Sequence, residues 1–203
     1  MNEFVASEDI AGSPEFRHLT SIAGIRIDLR YATVNNFVGR DLYSPFDCAW
    51  LHVQAAEALE RVVAALAARR PDLTVLVLDA LRPQRVQQQL WDALAGTDLR
   101  LYLADPARGS IHSYGMALDL TLVDGDGREL DMGTGFDDMT ELSHPALEEG
   151  FLLAGRLSDA QVANRRLLRE AMLASGFSGI RTEWWHFDCG DRDLVRRTFR
   201  RVL

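Results

Sequence analysis

The chain has 203 residues, 47% of them hydrophobic and 26% charged, a size and balance at which one compact domain buries a substantial core without disulfides or partners. A formal net charge of -8 argues against a nucleic-acid partner, which calls for a basic face, and no apolar run reaches the ~20 residues of a membrane helix. Every basic residue is Arg, so chemistries that depend on a lysine ammonium, Schiff bases and P-loops, are excluded as well.

In chain order, Met1 to Glu15 carries Glu3, Glu8 and Asp9 in place of a basic and then apolar leader, so a cytoplasmic location is expected. Gly24 to Tyr31 alternates Ile25, Ile27 and Leu29 with Arg26, Asp28 and Arg30, the pattern of a half-buried strand. From about Cys48 to Arg70 a run of Ala, Leu, Val and Glu, closed by Pro71, predicts a long amphipathic helix with His52 inside it. Thr74 to Asp79 reads as a buried strand that delivers Asp79-Ala-Leu-Arg82-Pro83 at its far end. A second helix is expected from about Gln84 to Leu94, and a loop then leads to Ser110-Ile-His112-Ser-Tyr-Gly115. Met116 to Leu122 predicts a strand turning through a hairpin at Asp124-Gly-Asp-Gly127. A third helix spans about Ser158 to Ser175, capped by Ser158 or Asp159 and ended by Gly176. Arg181 to Asp188 is aromatic enough for a last strand. This mixture predicts an α+β fold, one domain over residues 1–203, with a small antiparallel or mixed sheet flanked by helices and a metal site in a cleft.

Cys48 and Cys189 form neither a CxxC pair nor a framework and read as reduced structural thiols. His18, His52 and His144 have no partner pattern and also read as structural. The other two histidines differ. In the strand Met116 to Leu122 the even positions are oily, so Asp119 points to the opposite face, expected to line a cleft. His112, seven residues earlier across the Gly115 bend, can swing back towards it, and neutral imidazole with carboxylate suits zinc. Alone, this spacing is better met by an Asp119 paired with an arginine and a His112 on a surface loop. Glu183-Trp-Trp-His186 adds a second imidazole and a carboxylate in an aromatic setting. His112, Asp119 and His186 then supply the three ligands of a catalytic zinc, and Glu183 a base for its water. On a regular strand positions 183 and 186 face opposite ways, so the strand must bulge or end there. Arg82, at a strand end, is placed to stabilise an oxyanion.

Two separated segments, Ser110-x-His112-x-x-Gly115-x-Ala117-x-Asp119 and Glu183-x-x-His186, resemble the paired signature of the zinc D-Ala-D-Ala peptidases. Within that group the chain is similar to the D-alanyl-D-alanine dipeptidases of the VanX type, through Asp28-Leu-Arg-Tyr-Ala-Thr33 with Asn36-Phe37, Asp79-Ala-Leu-Arg82-Pro83 and Asp131-Met-Gly-Thr-Gly-Phe-Asp137. The resemblance implies one zinc per chain on His112, Asp119 and His186, Glu183 as base, and Arg82 as transition-state stabiliser. It further implies that Ser110 and Asp137 hold the free ammonium of a small dipeptide, D-Ala-D-Ala, hydrolysed by a water that the metal activates. Two alternatives stand beside it: a D,D-carboxypeptidase or murein peptidase of the same metal class, and a non-catalytic zinc- or peptide-binding domain. The oligomeric state is left open.

Overall fold

The computed structural model describes residues 4–203; residues 1–3, with Glu3 of the segment read for a leader, lie outside them. Nine strands and five helices follow in chain order: β1 (Phe4–Val5), β2 (Phe16–His18), β3 (Ile25–Ile27), β4 (Trp50–His52), α1 (Val53–Arg69), β5 (Thr74–Asp79), α2 (Gln84–Ala93), β6 (Ala117–Val123), α3 (Glu148–Leu153), α4 (Asp159–Ala174), β7 (Phe177–Gly179), β8 (His186–Cys189), α5 (Arg192–Thr198) and β9 (Arg201–Val202). Five strands form one mixed sheet in the order β3-β5-β6-β8-β7, with β3 and β5 parallel and the remaining pairs antiparallel. Two small pairs stand apart from it, β2 with β4 antiparallel and β1 with β9 parallel. The fold is α+β with a mixed sheet, as the pattern of elements implies.

The central strand β6 is buried along its whole length. Leu118, Leu120 and Leu122 join Val75 and Val77 in the main core with Leu59 and Val62 of α1 and Leu168 and Met172 of α4. On the other face Leu76, Leu78 and Val123 pack under Phe136. The face that carries Asp119 is therefore covered over most of its length and opens to a pocket only at the Asp119 end.

Several boundaries differ from the sequence reading, each for a local reason. The long helix starts at Val53, because Trp50–His52 pairs with β2 as β4. His52 caps α1, its Nδ1 accepting the Gln54 N–H at 3.3 Å, rather than lying inside it. The first strand of the main sheet ends at Ile27; the chain then bends through Arg30–Ala32 and buries Tyr31 to 1% exposure. The expected hairpin turns at Asp124, but its return arm is a single bridge between Val123 and Glu129 before the chain leaves to cover the sheet. In α4, Ser158 accepts the Gln161 N–H and the Gln161 side chain accepts the Ser158 N–H, a complete capping box. The last expected strand begins only at His186 and leaves Glu183 in the irregular approach to it, which resolves the opposing-face difficulty.

Candidate active site

His112 stands on a short 3-10 turn, Ile111–Tyr114, that closes on Gly115 in the left-handed region at φ 64. A Cβ at Gly115 would lie 2.7 Å from the backbone N of His52, so only glycine allows both this turn and this approach. The turn sets His112 back against the start of β6. Its Nδ1–H donates to the Ala80 carbonyl at 2.8 Å, which fixes the tautomer and leaves the Nε2 lone pair free. Asp119 of β6 and His186 of β8 are direct cross-strand partners.

Three donor atoms converge. His186 Nδ1 lies 2.9 Å from Asp119 Oδ1, and His112 Nε2 lies 3.2 Å from His186 Nδ1 and 3.4 Å from Asp119 Oδ1. One ligand atom from each lies within 4.8 Å of the others. The far nitrogen of His186, Nε2, donates to Asp188 Oδ1 at 3.0 Å, and Asp188 is held in turn by Arg192. Both imidazoles thus have their outer nitrogen engaged by an acceptor and their inner one facing the carboxylate. This donor chemistry fits a divalent cation such as zinc. Burial opposes charge on both paired groups, yet the imidazoles hold Asp119 below the usual carboxylate range, and Asp188 and Asp119 raise His186 well above the usual imidazole range.

Arg82 follows β5 just past a register irregularity between Val77 and Asp79. Its Nε donates to Asp79 Oδ2 at 2.8 Å, Nη1 to Gln87 Oε1 at 3.2 Å and Nη2 to Asp119 Oδ2 at 3.2 Å, with the guanidinium over the Tyr31 ring. Asp119 therefore does both things that the sequence left open: Oδ2 pairs with an arginine while Oδ1 faces the imidazoles.

Ser110, Asp137 and Glu183 line the same cavity as Arg82, His112, Asp119 and His186, a space of about 490 Å³. All seven residues singled out from the sequence meet there. Burial pushes the Glu183 carboxyl up to about 7 against the opposing pull of His186. Asp137 sits in the left-handed region at φ 60 and accepts the Tyr31 hydroxyl at 2.8 Å. Burial nevertheless raises its carboxyl well above the usual range.

The model of the D-Ala-D-Ala dipeptidase family matches residues 15–202. A D-alanyl-D-alanine dipeptidase of Escherichia coli (strain K12) is 39% identical over 164 residues, 81% of this chain and 78% of that protein. Another, of Enterococcus faecium, is 34% identical over 196 residues, covering 88% of this chain and 92% of its own. The enzyme of that name from Enterococcus faecalis is 32% identical over 180 residues, 81% and 85% of the two chains. The chain belongs to the D-Ala-D-Ala dipeptidase family. This is a family of metallopeptidases, so the chain is a peptidase, and the His112, Asp119 and His186 cluster is its possible metal site.

The sequence reading missed the residues that hold this peptidase's site in place. Asp188 was legible in principle: two residues past His186 on one strand, it must share its face. Asp79 and Gln87 flank Arg82 within five residues and were legible on the same ground, whereas Tyr31 reaches Arg82 and Asp137 only through the tertiary fold. Arg165, 1% exposed, braces the loop that carries Asp137 by donating to Met132 O at 2.6 Å, Leu142 O at 3.0 Å and Thr134 Oγ1 at 3.3 Å. Cys48 and Cys189 are buried free thiols, both raised by burial. No helix among the described residues is long and apolar enough to cross a membrane.

Proposed function

We propose that this peptidase hydrolyses the D-Ala-D-Ala dipeptide with one zinc held by His112, Asp119 and His186, and that it acts in the cytoplasm. The observation that carries the reading is the convergence of two imidazoles, each with its outer nitrogen held by an acceptor, and a carboxylate on one point of a pocket that also contains Glu183, a glutamate with no ion-pair partner among the described residues. The substrate is suggested by the names of the three relatives. A zinc ion in such a site lowers the pKa of a bound water and draws charge from a carbonyl.

The remaining steps belong to the chain. Glu183, whose carboxyl is poised at about 7, removes the proton of the attacking water and delivers it to the departing amine nitrogen. Arg82 has five N–H groups, and its contacts with Asp79, Gln87 and Asp119 leave at least one for the oxyanion. Ser110 and Asp137 receive the substrate's ammonium. An uncompensated carboxylate at Asp137 favours a cationic partner and disfavours an N-acylated peptide that lacks one. The test is turnover of D-Ala-D-Ala beside its N-acetyl form and a longer peptide ending in D-Ala-D-Ala. Cleavage of the free dipeptide alone is expected; comparable kcat/KM on the blocked peptides would instead make the enzyme a D,D-carboxypeptidase.

A further inference from the structure

The proposed mechanism leaves a second set of charges in the pocket unused. Arg108, Arg181, Arg192 and Arg196 also line the cavity, and the first three continue into an adjoining surface groove. Nearby acids are largely spent. Asp188 is committed to His186 and Arg192. Asp105 and Asp191 accept the backbone N–H groups of Ala107 and Leu194. Asp193 alone is shared by Arg108 and Arg196, at 3.4 Å to each.

Arg196 is the best seated of the four. Its side chain is 15% exposed. Its Nε donates to Gly109 O at 3.1 Å, one residue before Ser110, and its Nη1 leans on Asp193, while Nη2 meets no protein acceptor among the described residues. Burial first, and then the neighbouring Arg108, lower its pKa against the pull of Asp193. Arg181 likewise has no acceptor among the described residues. The pocket therefore holds carboxyl groups at Asp137 and Glu183 that no cation pairs among the described residues, and three guanidinium groups, Arg108, Arg181 and Arg196, for which the single carboxylate of Asp193 is the only acidic partner among those residues. An anion is needed to balance the latter.

Building on the dipeptidase reading, we propose that Arg196, assisted by Arg108 and Arg181, binds the α-carboxylate of the substrate and makes a free C-terminus a requirement for cleavage. The ammonium end and the carboxylate end of one zwitterion then each meet opposite charge.

The experiment compares D-Ala-D-Ala with D-alanyl-D-alaninamide, which keeps the ammonium and the scissile bond but has no terminal anion. The wild-type enzyme is expected to prefer the acid. Arg196→Gln should lower kcat/KM for the acid about 10- to 100-fold, chiefly through KM, while the amide changes by less than about threefold, the range expected for one charge-assisted hydrogen bond. Arg196→Lys should keep part of the preference. If Arg196→Gln does not fold, the double variant Arg108→Gln/Arg181→Gln, at two exposed positions, must show a smaller loss of the same selectivity. Equal wild-type cleavage of acid and amide, an equal loss on both in Arg196→Gln, or an unchanged ratio in the double variant would overturn the assignment while leaving the dipeptidase reading intact. A wild-type enzyme that cleaves neither compound would remove that reading and this inference together.

Discussion

Asp137 combines a left-handed backbone at φ 60 with a carboxyl that burial raises well above its usual range. Asparagine tolerates that backbone at least as well and carries no charge. A carboxyl whose folded pKa is raised contributes stability below its unfolded pKa and loses it as pH rises through the folded value. Asp137→Asn should therefore raise Tm at pH 8 and change it little near pH 4, while weakening D-Ala-D-Ala binding. Thermal melts at the two pH values check this, and a lower Tm at pH 8 would show that the native charge is compensated. Glu183 and His186, three residues apart, separate base from ligand. His186→Ala should lose metal and activity together. Glu183→Gln should retain the metal while kcat falls by roughly 10²–10⁴, the usual worth of a positioned proton shuttle; metal analysis beside kinetics distinguishes the two.

Among the elements, the turn Ile111–Tyr114 depends most on one residue. Gly115→Ala places a Cβ against the His52 backbone at positive φ, costing about 2 kcal/mol or more, and it should displace His112 so that metal affinity drops with stability. Denaturant unfolding and a metal titration measure both; a variant with unchanged metal affinity would mean that the turn does not position His112. Arg165 is the brace of the Asp137 loop, and its Nη1 lies 3.7 Å from buried Glu148. Glu148 keeps its ion pair with Arg169, so Arg165→Met should cost about 2 kcal/mol or more through the Met132 and Leu142 carbonyls left without their donor, and urea unfolding showing less than about 1 kcal/mol would contradict that role. Elements with a sustained period were legible in the sequence: β5, β6, α4 with its Ser158 cap, and the body of α1. The strands β1, β2, β4 and β7 were not, because two or three residues carry no period. The seven site residues were legible through motif spacing, whereas Tyr31 and Arg165 act across distances in sequence that only the fold closes.

At the scale of the whole molecule, the cluster of His112, Asp119 and His186 ties a turn to two central strands of the sheet. A metal bound there should stabilise the native state by linkage, about 4 kcal/mol at a free concentration 1,000 times Kd. Because Asp119 and Asp188 keep His186 protonated without a metal, metal binding must release a proton, and apparent affinity should fall as pH is lowered. Calorimetric titration in buffers of different ionisation enthalpy would detect that proton, and its absence would mean that His186 is already neutral. Stripping the metal with a chelator and adding zinc back while assaying D-Ala-D-Ala hydrolysis tests the assignment of His112, Asp119 and His186 to a catalytic zinc. No turnover is expected in the stripped protein, with a linear recovery that ends at about one zinc per chain. Full turnover in metal-free protein, or recovery that continues well past one equivalent, would contradict the assignment.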